Sequence, residues 1–311
     1  MPFYKTKTRF EPYTDGFHGV YWENKKPCDC AMILMLGGDC EDFLGKAGAK
    51  WALKQGINAM TMSPDKKDYG HHSYPMERLQ AAVKWLKAQG NRKIGIAGAS
   101  TTGMVALVAA SLFHDITLTI AVTPPDFIMG GFMQGKKDGC HEWPTEGESS
   151  LSWQGKQLPF LPYAYKHPDY WHVIDEESKR TKNMVSSIKL FEDSEKKTYV
   201  TEDMKIKVEN IRGKLLLIGA KDDVLWDTCR YIGRMEKRLK TTPHECEYEA
   251  LIYPHGTHFM FPSSLLKTIL PVGGQLFISL AFSDAKAFPR ECKAAREDLD
   301  NKVLDAIKSW K

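Results

Sequence analysis

The sequence predicts an α/β fold with a mostly parallel central sheet and helices on both faces. Three observations carry that expectation. Short apolar runs recur along the chain, segments of helical period separate them, and several runs end at glycine, serine or aspartate turns. The 311 residues suit one large core. They are read as a single domain spanning 1–311 with an inserted cap at about 126–200.

The elements follow in chain order. Residues 32–36 (MILML) form a buried strand running into Gly37-Gly38. A helix is expected over 43–55 with Gly56 as its cap, then a second strand over 57–62. Over 74–89, Leu79, Ala82, Val83 and Leu86 recur at helical spacing before Gly90. Residues 93–97 make a third strand, a helix begins just after Ser100, and 116–122 make a fourth strand. From Pro124 to about Val200 the alternation stops and rings crowd the segment, Trp143, Trp153, Tyr163, Tyr170 and Trp171 among them. A structureless loop of that length does not suit a compact domain, so this stretch reads as a cap, partly helical near 176–191. The core pattern resumes with a strand over 214–219, a helix near 227–240, a strand over 246–252 and a closing amphipathic helix over 293–310.

Composition narrows the function classes. Hydrophobic residues at 42% and charged residues at 26% give the balance of a folded globular protein. The net charge of +4 is interleaved, and basic clusters are as short as Lys136-Lys137, which excludes a nucleic-acid partner. No apolar stretch approaches bilayer length and MPFYKTKTRF lacks the apolar run of a secretory leader, so no membrane partner is expected. Seven cysteines at irregular spacing read as reduced thiols in a cytoplasm, with no metal site.

Four segments carry chemistry. Gly98-Ala99-Ser100-Thr101-Thr102-Gly103 lies between a strand and an Ala- and Val-rich helix, the context of a nucleophile elbow. Such a turn strains the serine backbone and lifts its hydroxyl above the sheet, and the helix N-terminus favours an anion nearby. Glycine usually stands two places after the serine, where this chain has Thr102. Asp222 and Asp223 follow the 214–219 strand, and one of them can reach an imidazole while the other caps a helix. His258, in the loop after the last strand, can fold back over the sheet end. Serine, then acid, then histidine, each just beyond a strand, is the chain order of an α/β-hydrolase. Gly38 and Asp39 can supply a backbone N–H to an oxyanion hole, paired with that of Thr101. Cys40 lacks an elbow and is not read as the nucleophile.

Together these residues resemble the C-terminal domain shared by acyl-CoA thioesterases and bile acid-CoA:amino acid N-acyltransferase. The carriers are LMLGG, Pro75 to Leu86, Ile94 to Ser100, Trp153-Gln154-Gly155-Lys156-Gln157 through Pro162, Asp222-Asp223-Val224-Leu225-Trp226 and Tyr253 to His258, spanning most of the chain from Gly19. The resemblance implies Ser100 as nucleophile, His258 as base and Asp223, three residues before Trp226, as acid. Two departures stand out. Thr102 replaces the family glycine, and the chain has no room for the N-terminal β-sandwich domain of the animal enzymes. The conjugating transferase has cysteine where this chain has Ser100, so the hydrolytic branch is the better match.

The expected reaction is acyl transfer to water through an acyl-enzyme, with a small-molecule ester or thioester as substrate and no cofactor or metal. An acyl-CoA thioester is the leading substrate class, on the resemblance. The rivals are a carboxylesterase for small or xenobiotic esters and a silent scaffold that binds a ligand or partner. Trp153 and Trp171 are the expected substrate-binding rings of the cap, with Lys136, Lys137, Lys156 and Lys166 as weak support for a phosphate-bearing substrate.

Overall fold

Alternate residues of the apolar strands face opposite sides of one eight-stranded sheet. The computed structural model describes residues 2–134 and 142–311. In chain order the first part comprises β1 (Lys7–Phe10), α1 (Pro12–Asp15), β2 (Gly19–Trp22), β3 (Cys30–Met35), α2 (Phe43–Lys54), β4 (Asn58–Met62), β5 (Tyr74–Pro75), α3 (Glu77–Ala88), β6 (Lys93–Ala99), α4 (Thr101–Leu112) and β7 (Ile116–Val122). The segment that follows holds β8 (Gly130–Gln134), β9 (Glu142–Ser149), β10 (Leu151–Trp153), β11 (Lys156–Gln157), α5 (Asp169–Thr181) and α6 (Ile188–Lys197). The sheet then resumes with β12 (Arg212–Ala220), α7 (Thr228–Thr241) and β13 (Glu245–Tyr253). Three short helices, α8 (Ser263–Ile269), α9 (Gly274–Ala281) and α10 (Ser283–Ala287), lead to α11 (Pro289–Trp310).

The sheet order is β1-β2-β4-β3-β6-β7-β12-β13. The pairs β1·β2 and β2·β4 are antiparallel, and every later pair is parallel. Ile33, Met35, Leu215 and Leu217 face one core, shared with α3, α4, α7 and the 126–200 segment. Met32, Leu34, Leu216 and Ile218 face the other, closed by Trp51 and Leu53 of α2, Leu265 and Ile269 of α8, and Leu299, Val303 and Ile307 of α11. This is an α/β-hydrolase sheet with helices on both faces, as the alternation predicts.

The differences have local causes. β1 is four residues with Phe10 as its only apolar one, and β2 is also four residues long, so neither stands out as an apolar run. The helical part expected near 176–191 is divided between two helices, with Lys182 closing α5 in a left-handed conformation before α6 starts. Two hairpin strands, β8 and β9, pair only with each other and supply much of the non-helical part of the segment. The last helix begins earlier than 293, with Pro289 in its first turn, where a missing N–H costs nothing.

One ion-pair network fastens the inserted segment to the base. Arg234 of α7 reaches the 3% exposed Asp126 at 2.6 Å and Glu195 of α6 at 2.8 Å. Among the described residues no single helix is long and apolar enough to cross a membrane; α8 and α9 pass that test only as a pair bent by 97°.

Candidate active site

Strand register gathers the candidate residues at one edge. Ala99 of β6 lies beside Val122 of β7, Val122 beside Ile218 of β12, and Ala220 beside Tyr253 of β13. The residues that follow these strand ends therefore emerge together, at the carboxyl edge where open α/β sheets carry their sites.

Ser100 makes the sharp turn from β6 into α4, at φ 59° and ψ −128°. Its N–H donates to Val122 O at 2.8 Å, and its carbonyl accepts from Met104 N at 3.1 Å. The turn requires glycine at 98, where a Cβ would stand 2.1 Å from Thr102 O. Thr102 is accommodated because its hydroxyl lies 2.8 Å from both Ala99 O and Met35 O, tying the elbow to the end of β3. Thr123 (φ 45°) and Thr257 (φ 62°) also hold positive φ. Thr123 Oγ1 donates to His258 O at 3.2 Å, which ties the turn after β7 to the loop after β13. Backbone strain of this kind persists only where the surroundings over-determine it, and it concentrates at functional sites.

The acid and the histidine are in contact. His258 Nδ1 lies 2.9 and 3.0 Å from the two carboxylate oxygens of Asp223. Both side chains are 1% exposed. Asp223 also accepts from Leu225 N at 2.9 Å and from the Thr228 hydroxyl, so the carboxylate is fixed from two sides. With Nδ1 donating to Asp223, Nε2 is left as the acceptor, and among the described residues it has no hydrogen-bond partner, Ser100 Oγ included. Catalytic hydrogen bonds are often open before substrate binds. Trp226 packs edge-on against the imidazole at 4.8 Å and donates its indole N–H to Thr123 O at 3.1 Å.

Asp222 does something else. Its Oδ1 accepts from Gly256 N at 2.8 Å and Thr257 N at 2.9 Å. From the other side the buried Arg296 of α11 donates to Gly256 O at 3.1 Å and Thr257 Oγ1 at 3.2 Å. The loop 255–259 is thus clamped between an acid and a cation. Burial pushes the Asp222 carboxyl up to about 6, against the two loop N–H bonds and helped by Asp284, which also meets His255 Nδ1 at 2.8 Å. Sequence reasoning missed Arg296, since a lone arginine in an amphipathic helix gives no signal. It also missed Trp226 as a packing partner of the histidine.

The loop after β3 holds Gly38 and Asp39 half-buried. A Cβ on Gly38 would stand 2.2 Å from Asp42 Oδ2, so a side chain there would displace the Asp42 carboxylate that caps α2. Thr101 opens α4, where the first-turn N–H groups have no intrahelical acceptor. Cys40 lies against His18, but burial and the neighbouring Asp39 push its thiol up to about 12, the reverse of an activated nucleophile.

The candidate residues of the 126–200 segment separate. Trp153 packs edge-on against Phe113, just past the far end of α4. Twelve residues of helix at about 1.5 Å each put roughly 18 Å between that contact and Ser100, which corrects the expectation that Trp153 lines a pocket there. Trp171 donates its indole N–H to Glu142 O and contacts Tyr170. It stands at the outer end of a ring series that runs through Tyr170, Tyr163 and Phe191 to Trp226 and His258. The ring nearest the histidine side of that series within the segment is Phe191. Lys166 is paired with Glu146 at 2.5 Å, and Lys136 and Lys137 lie outside the described residues. A 540 Å³ cavity lies between β12, β13 and α11, lined by Lys214, Glu247 and Lys302. A 400 Å³ cavity lies inside the inserted segment against Phe160, Tyr163 and Tyr165. Neither is lined by Ser100 or His258, so the chemistry and not the cavity size marks the site.

Sheet order, elbow and edge define an α/β-hydrolase. The chain belongs to the family described as BAAT / acyl-CoA thioester hydrolase C terminal, whose profile matches residues 74–265, well over half of the sequence. It is a hydrolase of the esterase and thioesterase type, for which a small-molecule ester is the substrate class. Among curated proteins no sequence relative matches. Solved structures resemble the chain at low identity. A protein described as a dienelactone hydrolase from Klebsiella pneumoniae is 8% identical, with 97% of this chain and 98% of that chain covered and a TM-score of 0.50. An esterase from Pyrococcus furiosus is 16% identical, covering 98% of both chains at a TM-score of 0.48. Est1E from Butyrivibrio proteoclasticus is 14% identical over 86% of this chain and 96% of that chain, at a TM-score of 0.44.

Proposed function

We propose that the chain is a serine hydrolase that cleaves an acyl thioester, of the acyl-CoA kind, through an acyl-enzyme on Ser100. The observation that carries this reading is the buried His258–Asp223 pair, which leaves Nε2 as an unpartnered acceptor at the edge where the Ser100 elbow emerges. His258 takes the Ser100 proton as the hydroxyl attacks the carbonyl, and Asp223 holds the imidazole in the required tautomer. Negative charge on the carbonyl oxygen is met by the N–H of Thr101 and an N–H of the Gly38–Asp39 loop. The leaving thiol receives the proton from His258, and the same imidazole then activates water to release the acid.

The unit is read as one α/β-hydrolase domain in which residues 126–200 form the cap. A cytoplasmic setting is supported by six described cysteines, all free thiols. A carboxylesterase is the second reading, favoured by one observation: Lys166, a candidate for CoA phosphate, is already paired with Glu146. Turnover of a series of acyl-CoAs beside p-nitrophenyl esters tests both. Preference for acyl-CoAs supports the first reading, preference for the simple esters supports the second, and no turnover of either overturns both in favour of a silent scaffold.

A further inference from the structure

We infer that His18, Asp39 and Cys40 form a three-ligand site for a divalent transition metal of the zinc class, set in the loop that follows β3. His18 Nε2 lies 3.3 Å from Cys40 Sγ and 3.8 Å from Asp39 Oδ1. All three donor atoms fall within 4.8 Å of one another. Tetrahedral zinc, with bonds of about 2.3 Å to sulfur and about 2.0–2.2 Å to nitrogen or oxygen, keeps its donors roughly 3.3–3.6 Å apart. The spacing here needs only small side-chain shifts to meet that. One imidazole, one thiolate and one carboxylate form a borderline-soft set that suits zinc or cobalt over calcium or magnesium. Three protein ligands leave a fourth position for water.

A second observation points the same way. With Nε2 facing the other donors, the second ring nitrogen of His18 is buried and has no hydrogen-bond partner, although the residue is only 6% exposed. The carboxylate of Glu11 stands 4.0 Å from that Nδ1, on an exposed side chain free to close the gap. This is the carboxylate–histidine–metal arrangement that fixes the tautomer of a ligating imidazole. The loop is already held in shape. Cys40 N donates to Ser63 Oγ at 3.0 Å, Asp39 accepts from Glu41 N at 3.0 Å and Lys67 N at 2.5 Å, and Glu41 is gripped by Lys7 and Arg9. Each carboxylate oxygen of Asp39 keeps a second lone pair for a metal. On binding, the metal takes the place of the Cys40 thiol proton, which leaves to solvent.

The test is a Co²⁺ titration of the metal-free full-length protein, read by absorption. It does not depend on Ser100, because the readout is the metal and not turnover. The expected result is one Co²⁺ per chain, with tetrahedral bands in the visible and a thiolate charge-transfer band in the near ultraviolet. Cys40→Ser should abolish the charge-transfer band, and Glu11→Gln, which removes the carboxylate facing Nδ1 of the ligating imidazole, should weaken binding about 10-fold. Cys292→Ser, a buried thiol elsewhere, should leave the spectrum intact. Cys40→Ser changes one atom, so folding checked by circular dichroism keeps the comparison valid. A wild-type spectrum without a thiolate band, or a band that survives Cys40→Ser, overturns the site.

Discussion

The loop that carries His258 and the 126–200 segment differ in how much of their hold comes from aromatic rings. Residues 255–259 are fixed by directional contacts: Asp222 receives two of their N–H groups and Arg296 donates to Gly256 O and Thr257 Oγ1. The segment over 126–200 adds ring edges, such as Phe191 on Trp226 at 4.9 Å, to the Arg234 network and to backbone bonds such as Ser187 N to Val224 O at 2.9 Å and the pairing of β10 with β5. On the proposed function, His258 accepts a proton along one direction and needs its backbone set by hydrogen bonds. On the same proposed function, the rings of the segment supply apolar volume around an acyl group without fixing its direction. Changes in the loop should therefore act on rate, and changes in the segment on preference.

The largest effect expected lies on the carboxylate that touches the imidazole. Asp223→Asn should lower kcat by about 10⁴, because an amide favours the wrong histidine tautomer. Asp222→Asn keeps an acceptor for the loop N–H groups and should cost far less. Steady-state kinetics of the two variants break the comparison if their order is reversed.

Next comes the clamp. Arg296→Ala leaves Gly256 O and Thr257 Oγ1 without their charged donor, and hydrogen bonds to charged groups contribute about 1.5–3 kcal/mol each. A loss of about 3 kcal/mol in chemical denaturation is expected, with kcat falling more than KM rises. A stability loss with unchanged kcat would show that the loop needs no clamp.

Acid titration sharpens the same point. The folded-state pKa of Asp222, raised to about 6 by burial, lies above its ordinary 3.8. Its contribution to stability is therefore full below about pH 4 and is lost as pH rises through about 6, since the folded state binds the extra proton. In a denaturation series from pH 4 to 7, wild type should lose stability relative to Asp222→Asn. A flat difference between the two would remove the buried proton from the account.

The smallest effect concerns preference. Phe191→Leu, nearest to Trp226 in the ring series, should shift kcat/KM between short and long acyl chains by about 1 kcal/mol. Trp153→Leu, packed on Phe113 at the far end of α4, should leave that ratio unchanged while lowering the melting temperature. If only Trp153→Leu moves the ratio, the acyl group lies elsewhere than above Trp226.

How much of this was legible follows from the kind of contact involved. The parallel strands announce themselves because both faces are buried, so 32–36, 93–97, 116–122 and 214–219 read as continuous apolar runs. Ser100 and Asp223 drew attention because each follows such a run closely, and His258 because it follows the last strand, β13. Choosing Asp223 over Asp222 needed the resemblance, since adjacent acids look alike until the loop they serve is folded. Arg296 acts on a loop 37 to 40 residues earlier, and His18 meets Cys40 across 22 positions. Contacts that distant leave no local pattern. Trp153 was misjudged for a related reason, because composition says that rings are present and not which end of a helix they cover.

The central claim is that Ser100 is the nucleophile presented to the His258–Asp223 pair. Labelling of the intact protein with a fluorophosphonate, followed by mass-spectrometric mapping of the modified peptide, tests it most directly. The account predicts one label, on Ser100, absent in Ser100→Ala and strongly slowed in Asp223→Asn. A label on any other residue, or turnover that persists at the wild-type rate in Ser100→Ala, would contradict it.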